Sequence, residues 1–422
     1  MKKRTRTMAW LLAAIAWSAR PAQAAEHWFL TEATLPGLAK VWKEGALAAG
    51  HEDGHAFATL QTDGGGRPLL AALRPIEPAL DARAAHVLVS LRVRGIAHLA
   101  NLQVRLGSDA FATSWYELSI PIYADRYYNY VQEGTWTPIT LSLGEAATAG
   151  TPDRGRIDSF AVMATDDGKG RVEVDLAGAA LVDSPREGAV SLTFDDGYKE
   201  HLTAARMLAE RGWRGTAYII PQVLGTQPAY LTRGDVVEIG RLGSDVAAHD
   251  DPPFTDIPAA ELEPRVRGIQ QQLGELGFAE TAKHLAYPLG KQEPTRVRPL
   301  IAKLFTTARI AGAGPETIPP ADAHLLRTVN VVDTTTPEQI GAWARRAKEQ
   351  REWLILMFHW LPEHTEKPTD FAMGQFRRAL DAIAESGARV APISEVWREA
   401  APLYEAQQAF PPPSASPAAP AP

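Results

Sequence analysis

From residue 189 to about residue 391, short apolar runs alternate with amphipathic stretches, and this alternation leaves few folds open. The apolar runs are Ala189–Phe194, Gly215–Ile220, Asp245–Ala248, His284–Ala286, Phe305–Arg309, Val329–Val332, Trp353–Phe358 and Ala388–Ala391. Between them, Lys199–Arg211, Gly234–Leu242, Ala259–Leu276, Glu293–Lys303, Pro337–Gln350 and Asp370–Ser386 space their apolar residues as helices do. A strand buried on both faces reads as an unbroken apolar run, and strands joined by helices lie parallel with the helices outside. So many units in roughly 210 residues predict a (β/α) barrel, deformed or incomplete.

Residues 26–183 follow a different period. Alternating runs at Ala85–Val93, Asn101–Leu106, Trp115–Pro121, Thr135–Leu143, Ile157–Ala164 and Arg171–Leu181 are separated by Gly, Asp and Asn clusters such as Asp63–Gly66 and Asp166–Gly168. Short strands at this spacing predict an all-β sandwich, jelly-roll-like, and a multidomain chain. Residues 184–188 read as a linker, and the barrel is expected over 189–402. The Pro- and Ala-rich tail 411–422 has nothing to bury and is expected to stay disordered.

At the other end, the basic stub Met1–Arg6, the apolar stretch Met8–Trp17 and Ala22-Gln23-Ala24 follow the order of a secretory signal. The expectation is an exported protein, periplasmic or secreted, with residues 1–24 removed. No later run is long and apolar enough for the roughly 20 residues of a membrane span. The 422 residues are 45% hydrophobic and 22% charged, a globular balance. A formal net charge of −7 argues against a nucleic-acid partner. With no cysteine, a thiol nucleophile, a Cys-ligated zinc site and a disulfide framework are all excluded.

In a parallel barrel the reactive groups stand just after the strands, on one rim. Asp195 and Asp196 follow the first run, and two adjacent carboxylates at a buried strand end call for a partner such as a divalent metal. His249 follows the third run, with Asp250 and Asp251 beside it. Tyr287-Pro288-Leu289-Gly290 follows the fourth as a rigid turn with backbone N–H groups to offer an oxyanion. His359 and Trp360 follow Trp353–Phe358, placing an imidazole at the mouth for acid or base work. Aromatics also gather between Trp115 and Trp136, namely Tyr116, Tyr123, Tyr127, Tyr128 and Tyr130. They can pack a sandwich or stack on sugar rings.

Thr193-Phe194-Asp195-Asp196-Gly197 resembles the first motif of the polysaccharide deacetylases, the NodB-homology domains of carbohydrate esterase family four. Tyr287–Gly290 and Phe358-His359 sit where that family has its third and last motifs, and Ser394–Trp397 resembles its closing helix. The resemblance implies a deformed (β/α) barrel that hydrolyses acetamides on sugars with a divalent metal, zinc first, cobalt or manganese as alternatives. It makes Asp195 the general base, His359 the general acid and the backbone of Leu289 an oxyanion donor. It makes Asp196 and His249 metal ligands, and Tyr198, Tyr287, Pro288 and Trp360 substrate contacts. Trp115 and Trp136 are further candidates to bind an N-acetylated polysaccharide or oligosaccharide.

Pro253 stands where the family has its second motif histidine, so Asp250 or Asp251 is the expected third ligand, with Asp256, His201 and His364 further off. Ala286 stands where many members carry an arginine that orients the base, and Leu289 where an aromatic is usual. Two other readings stay open: a degenerate domain that binds polysaccharide without hydrolysis, and an esterase acting on O-acetyl groups.

Overall fold

The computed structural model describes residues 26–52, 55–123, 129–185 and 187–407. The expected signal at 1–24, the tail 411–422, Tyr127, Tyr128 and Arg186 of the expected linker lie outside the described residues.

Seven parallel strands close into a barrel: Ala189–Phe194, Thr216–Ile219, Asp245–Ala248, His284–Ala286, Thr307–Ala313, Leu326–Asn330 and Glu352–Phe358. The seam is a six-residue parallel register, Ala189 with Trp353 through Phe194 with Phe358. The run expected at Ala388–Ala391 contributes only Arg389–Val390. That strand pairs with Ala189 and Val190, below the point where the second strand meets Thr193 and Phe194. The first and last full strands are buried at every position, which is why both read as continuous apolar runs.

Inside the barrel, small and large side chains take turns. Ala189, Ala247 and Ala286 leave the space that Tyr218, Trp353 and Ile355 fill. The Trp353 indole N–H donates to Ser191 Oγ (2.9 Å), and Ser191 Oγ donates to the Ala391 carbonyl (2.7 Å). Outside, two helices start at full capping boxes: Thr232 with Asp235 for Arg233–Arg241, and Thr336 with Gln339 for Pro337–Gln350.

The N-terminal half is two antiparallel sheets. One runs Ala46–Glu52, His55–Gln61, Glu173–Asp183, Ala85–Arg94, Thr137–Leu141, with Glu26–Leu30 added on Glu173–Asp183. The other runs Ala147–Ala149, Trp115–Ser119, Leu99–Gly107, Ser159–Asp166, Pro68–Leu73, Ala39–Lys40. Val87, Val89, Leu91 and Val93 of the first and Leu102, Val104 and Leu106 of the second share one core. That core continues into the barrel, where it includes Ala313 and Leu325. Among the strands before residue 85, Ala46–Glu52 (ALAAGHE) escapes a sequence reading because Ala, Gly and Glu are residues that sheets disfavour, and no alternation marks it.

The two halves are fastened by polar bonds as well. Arg327 Nη2 donates to the Thr140 carbonyl (2.8 Å) and Gln292 Nε2 to the Asn129 carbonyl (3.0 Å). At the connection itself, Ser184 is tied to the Ala84 carbonyl by both its N–H and its hydroxyl, each at 3.0 Å. No helix among the described residues is long and apolar enough to cross a membrane.

His86 at the junction and His284 in the fourth barrel strand are buried, and burial is the main force pushing both imidazoles down to about 4. Each stays neutral in the folded chain while the unfolded chain takes up a proton near 6.5. Stability is therefore complete above pH 6.5 and declines as the pH falls toward 4, by about 1.4 kcal/mol per pH unit for each such histidine. Denaturant unfolding between pH 6.5 and 5 should show this slope, and His284→Gln should lower it by one histidine's share while His86 keeps the rest.

Candidate active site

The rim is built by the residues that leave the strands. Asp195 follows the first strand, keeps the ladder through its N–H to the Phe358 carbonyl (2.9 Å), and is 3% exposed. Asp196 and Gly197 then take left-handed conformations, with φ of 74° and 86°. Aspartate tolerates this region better than most side chains. The turn separates the two carboxylates, so that Asp195 stays inside while Asp196 faces the mouth.

Asp195 forms a buried ion pair with Arg309, whose side chain is 1% exposed. Arg309 also lies over the Tyr218 ring, 4.6 Å from its centroid, and its Nη1 donates to Met357 Sδ (2.9 Å). Arg309 pairs directly with Ala286 in the parallel register. The arginine missing from position 286 is thus supplied by the next strand over. Sequence reasoning passed over it, although a charged residue closing the apolar run Phe305–Arg309 was the available signal.

His249 continues the third strand, and its Nδ1 donates to the Ala286 carbonyl (2.8 Å). That bond makes Nδ1 a donor and turns Nε2 toward Asp196 Oδ1, 3.3 Å away, where either a proton or a cation fits between nitrogen and carboxylate. Burial works against the Asp196 charge, but the hydrogen bond and charge of His249, with His359 and His201, outweigh it and hold the carboxyl below its ordinary value. Burial likewise works against a charged His249, and Asp196 and Asp195 outweigh it, raising the imidazole. An imidazole aimed at a carboxylate suits a divalent cation, so Asp196 and His249 fit as two ligands.

The expected third ligand is otherwise engaged. Asp250 is completely buried and bound by both arms of Arg265, Nε to Oδ2 at 2.6 Å and Nη2 to Oδ1 at 2.8 Å. Asp251 is exposed, with its carbonyl accepting from the same Arg265 Nη2 (2.6 Å). Among the described residues, no group of three or more His, Asp or Glu side chains is placed to hold a metal.

At the seventh strand end, His359 is held through its backbone. His201 Nε2 donates to the His359 carbonyl (2.8 Å), which leaves His201 Nδ1 without a partner. Burial pushes His201 down to about 4 and keeps it neutral. His359 Nδ1 is also buried and unpartnered. Trp360 Nε1 donates to Glu200 (3.1 Å), and its ring stacks at 6.1 Å on Tyr198, which stacks at 5.6 Å on Tyr230. Tyr198, Tyr230 and Trp360 are half-buried and line one side of the mouth.

The turn after the fourth strand divides the residues expected to touch substrate. Tyr287 and Pro288 are buried, and the Tyr287 hydroxyl has no partner, so their side chains belong to the core and not to a sugar surface. Leu289 is 61% exposed, in the left-handed region at φ 53°. Trp115 and Trp136 do not form one platform. Trp115 lies on the second sheet beside Phe111 and Arg105, while Trp136 lies against Phe57 beneath Arg92 of the first sheet.

Residues 183–306 match the model of a family described as polysaccharide deacetylase. The resemblance drawn from Thr193–Gly197 therefore holds over a span that includes Asp195, Asp196, His249 and Leu289 and ends before Arg309 and His359. The comparison with curated proteins found no match. Among solved structures, the chain is similar to the Xyl-CE4 domain of a multidomain xylanase from the hindgut metagenome of Trinervitermes trinervoides. Identity is 17%, over 50% of this chain and 91% of that one, with a TM-score of 0.36. For the family 4 carbohydrate esterase from Streptomyces lividans, identity is 20% over 48% and 91%, with a TM-score of 0.34. For the chitin deacetylase from Colletotrichum lindemuthianum, identity is 14% over 50% and 88%, with a TM-score of 0.36.

Arg309→Met should cost about 3 kcal/mol or more in denaturant unfolding, because it leaves the Asp195 carboxylate buried without its partner. Adding Asp195→Leu should recover part of that loss. Strictly additive losses would show that the pair is not coupled.

Proposed function

We propose that this chain hydrolyses acetamides on the amino sugars of an N-acetylated polysaccharide or oligosaccharide, releasing acetate and a free amine. The observation that carries the reading is the buried Asp195–Arg309 pair beside Asp196 and a His249 whose Nε2 is turned toward it. Asp195 takes the proton of the attacking water, and Arg309 holds its carboxylate in place. The Leu289 N–H meets the charge that develops on the acetyl oxygen. His359 gives a proton to the leaving nitrogen. A divalent cation, zinc first, would be held by Asp196 and His249 and would supply Lewis acidity toward the carbonyl and the water.

The leader-like residues 1–24 extend the reading to an exported protein. A second reading, a polysaccharide-binding protein that no longer hydrolyses, draws its support from Asp250, which Arg265 occupies where a third ligand is needed.

Acetate release from N-acetylglucosamine oligomers, measured beside metal content, tests both readings. Asp195→Asn and His359→Ala should each lower the rate by roughly 10²–10⁴-fold. Asp196→Ala should lose the bound zinc together with activity. A wild-type chain that takes up no zinc, cobalt or manganese and releases no acetate would leave the binding reading in place.

A further inference from the structure

Among the described residues, three large apolar side chains are exposed: Val41, Tyr123 and Leu289. Two of them stand over the ends of adjacent barrel strands: Tyr123, from the N-terminal half, over the fifth, and Leu289 just after the fourth. Leu289 precedes Gly290, which packs so closely on the end of the fifth strand that a Cβ there would fall 2.5 Å from Ala311 Cβ. Two residues further, Ala313 N–H donates to the Tyr123 hydroxyl (3.2 Å). Gly312, Ala313 and Gly314 all take positive φ, at 114°, 71° and 87°, so the loop turns sharply to present that N–H.

Tyr123 is fixed from its other side as well. Asn129 Nδ2 donates to the Tyr123 carbonyl (3.2 Å), and the Asn129 carbonyl accepts from Gln292 Nε2 (3.0 Å). Gln292 is buried and lies three residues beyond Leu289. Tyr123 is therefore anchored at its hydroxyl and at its backbone, yet the residue is 40% exposed. Both anchors stand at the C-terminal ends of barrel strands, the side on which Asp195, His249 and His359 stand. An anchored aromatic residue left this exposed is costly to leave in water, and it suits a ligand with one apolar face and a polar edge.

We propose that Tyr123 is a substrate-contacting residue supplied by the N-terminal sheets. Its ring, with Leu289, forms the wall that receives a pyranose neighbouring the one that loses its acetyl group. The C–H face of the pyranose lies on the ring, and its hydroxyls stay in water. The proposal rests on the deacetylase reading of the rim and adds to it a subsite that the barrel alone lacks. Longer oligomers gain from this wall, and a single sugar does not reach it.

The test compares the N-acetylglucosamine tetramer with the monomer. Tyr123→Ala should raise KM for the tetramer about five- to tenfold more than for the monomer, the size of one lost aromatic contact. Tyr123→Phe, which keeps the ring and loses the bond to Ala313, should restore most of that affinity. Tyr123→Leu, which keeps bulk without an aromatic face, should behave as Ala does. It serves as the deciding variant if the alanine chain does not fold by circular dichroism.

Acetate release with the same tetramer KM in all four chains would overturn the wall and leave the deacetylase reading standing. If the wild type binds the tetramer in calorimetry without releasing acetate, the reading fails, and the wall then stands or falls on whether the Ala and Leu variants bind more weakly. A wild-type chain that neither binds nor cleaves the tetramer overturns both.

Discussion

A carboxylate and a guanidinium withdrawn together from water, Asp195 and Arg309, set the terms for the rest of the rim. Neither could be buried alone at tolerable cost, and each is held by more than the other. Arg309 is sandwiched by the Tyr218 ring and Met357, and Asp195 by the backbone of the seventh strand. The small Ala286 and Ala247 make room for this arrangement inside a barrel otherwise filled by Trp353 and Ile355. The charge pair is thus also a packing solution. Two strands, the first and the fifth, are fixed relative to each other across the lumen.

The same logic separates Asp250, which follows His249, from Asp196, which follows Asp195. Asp250 has found a permanent partner in Arg265 and works as part of the wall under the third loop. Asp196, half-buried, has the His249 imidazole 3.3 Å away and, among the described residues, no arginine paired with it. A carboxylate satisfied by a bidentate arginine has little left to give a cation. One that faces a single imidazole nitrogen has capacity to spare. Capacity to hold a cation at this rim therefore falls to Asp196 rather than to Asp250.

How much of this was visible in the bare sequence depends on what each feature is a function of. The barrel strands were legible because burial on both faces leaves an unbroken apolar run, as at Ala189–Phe194 and Trp353–Phe358. The residues just past them were legible because topology puts every strand end on one rim. The pairing of Arg309 with Asp195 was not, since it depends on which strand lies beside Ala286 and at what register. Arg265 was hidden for a similar reason, being one of several arginines on an amphipathic helix. Tyr287 misled in the other direction: next to a reactive turn it reads as a surface aromatic, yet the turn points it inward. The N-terminal sheets were legible from residue 85 onward, where Val and Leu alternate with polar residues, and illegible in the alanine-rich strand Ala46–Glu52 before that.

The seam of the barrel has a consequence for how the chain comes into being. The strand that leads to Asp195 leaves the ribosome early, but its partner across the seam begins only at Glu352, and the strand that covers its lower half waits until Arg389. Closing so long a loop is entropically expensive and comes late. Until then one edge of the first strand stays uncovered, and Asp195 waits more than a hundred residues for Arg309 to emerge. The nascent barrel is thus an open, sticky sheet for most of its synthesis. The N-terminal sheets, completed by residue 183, are the one finished surface against which it can collect itself.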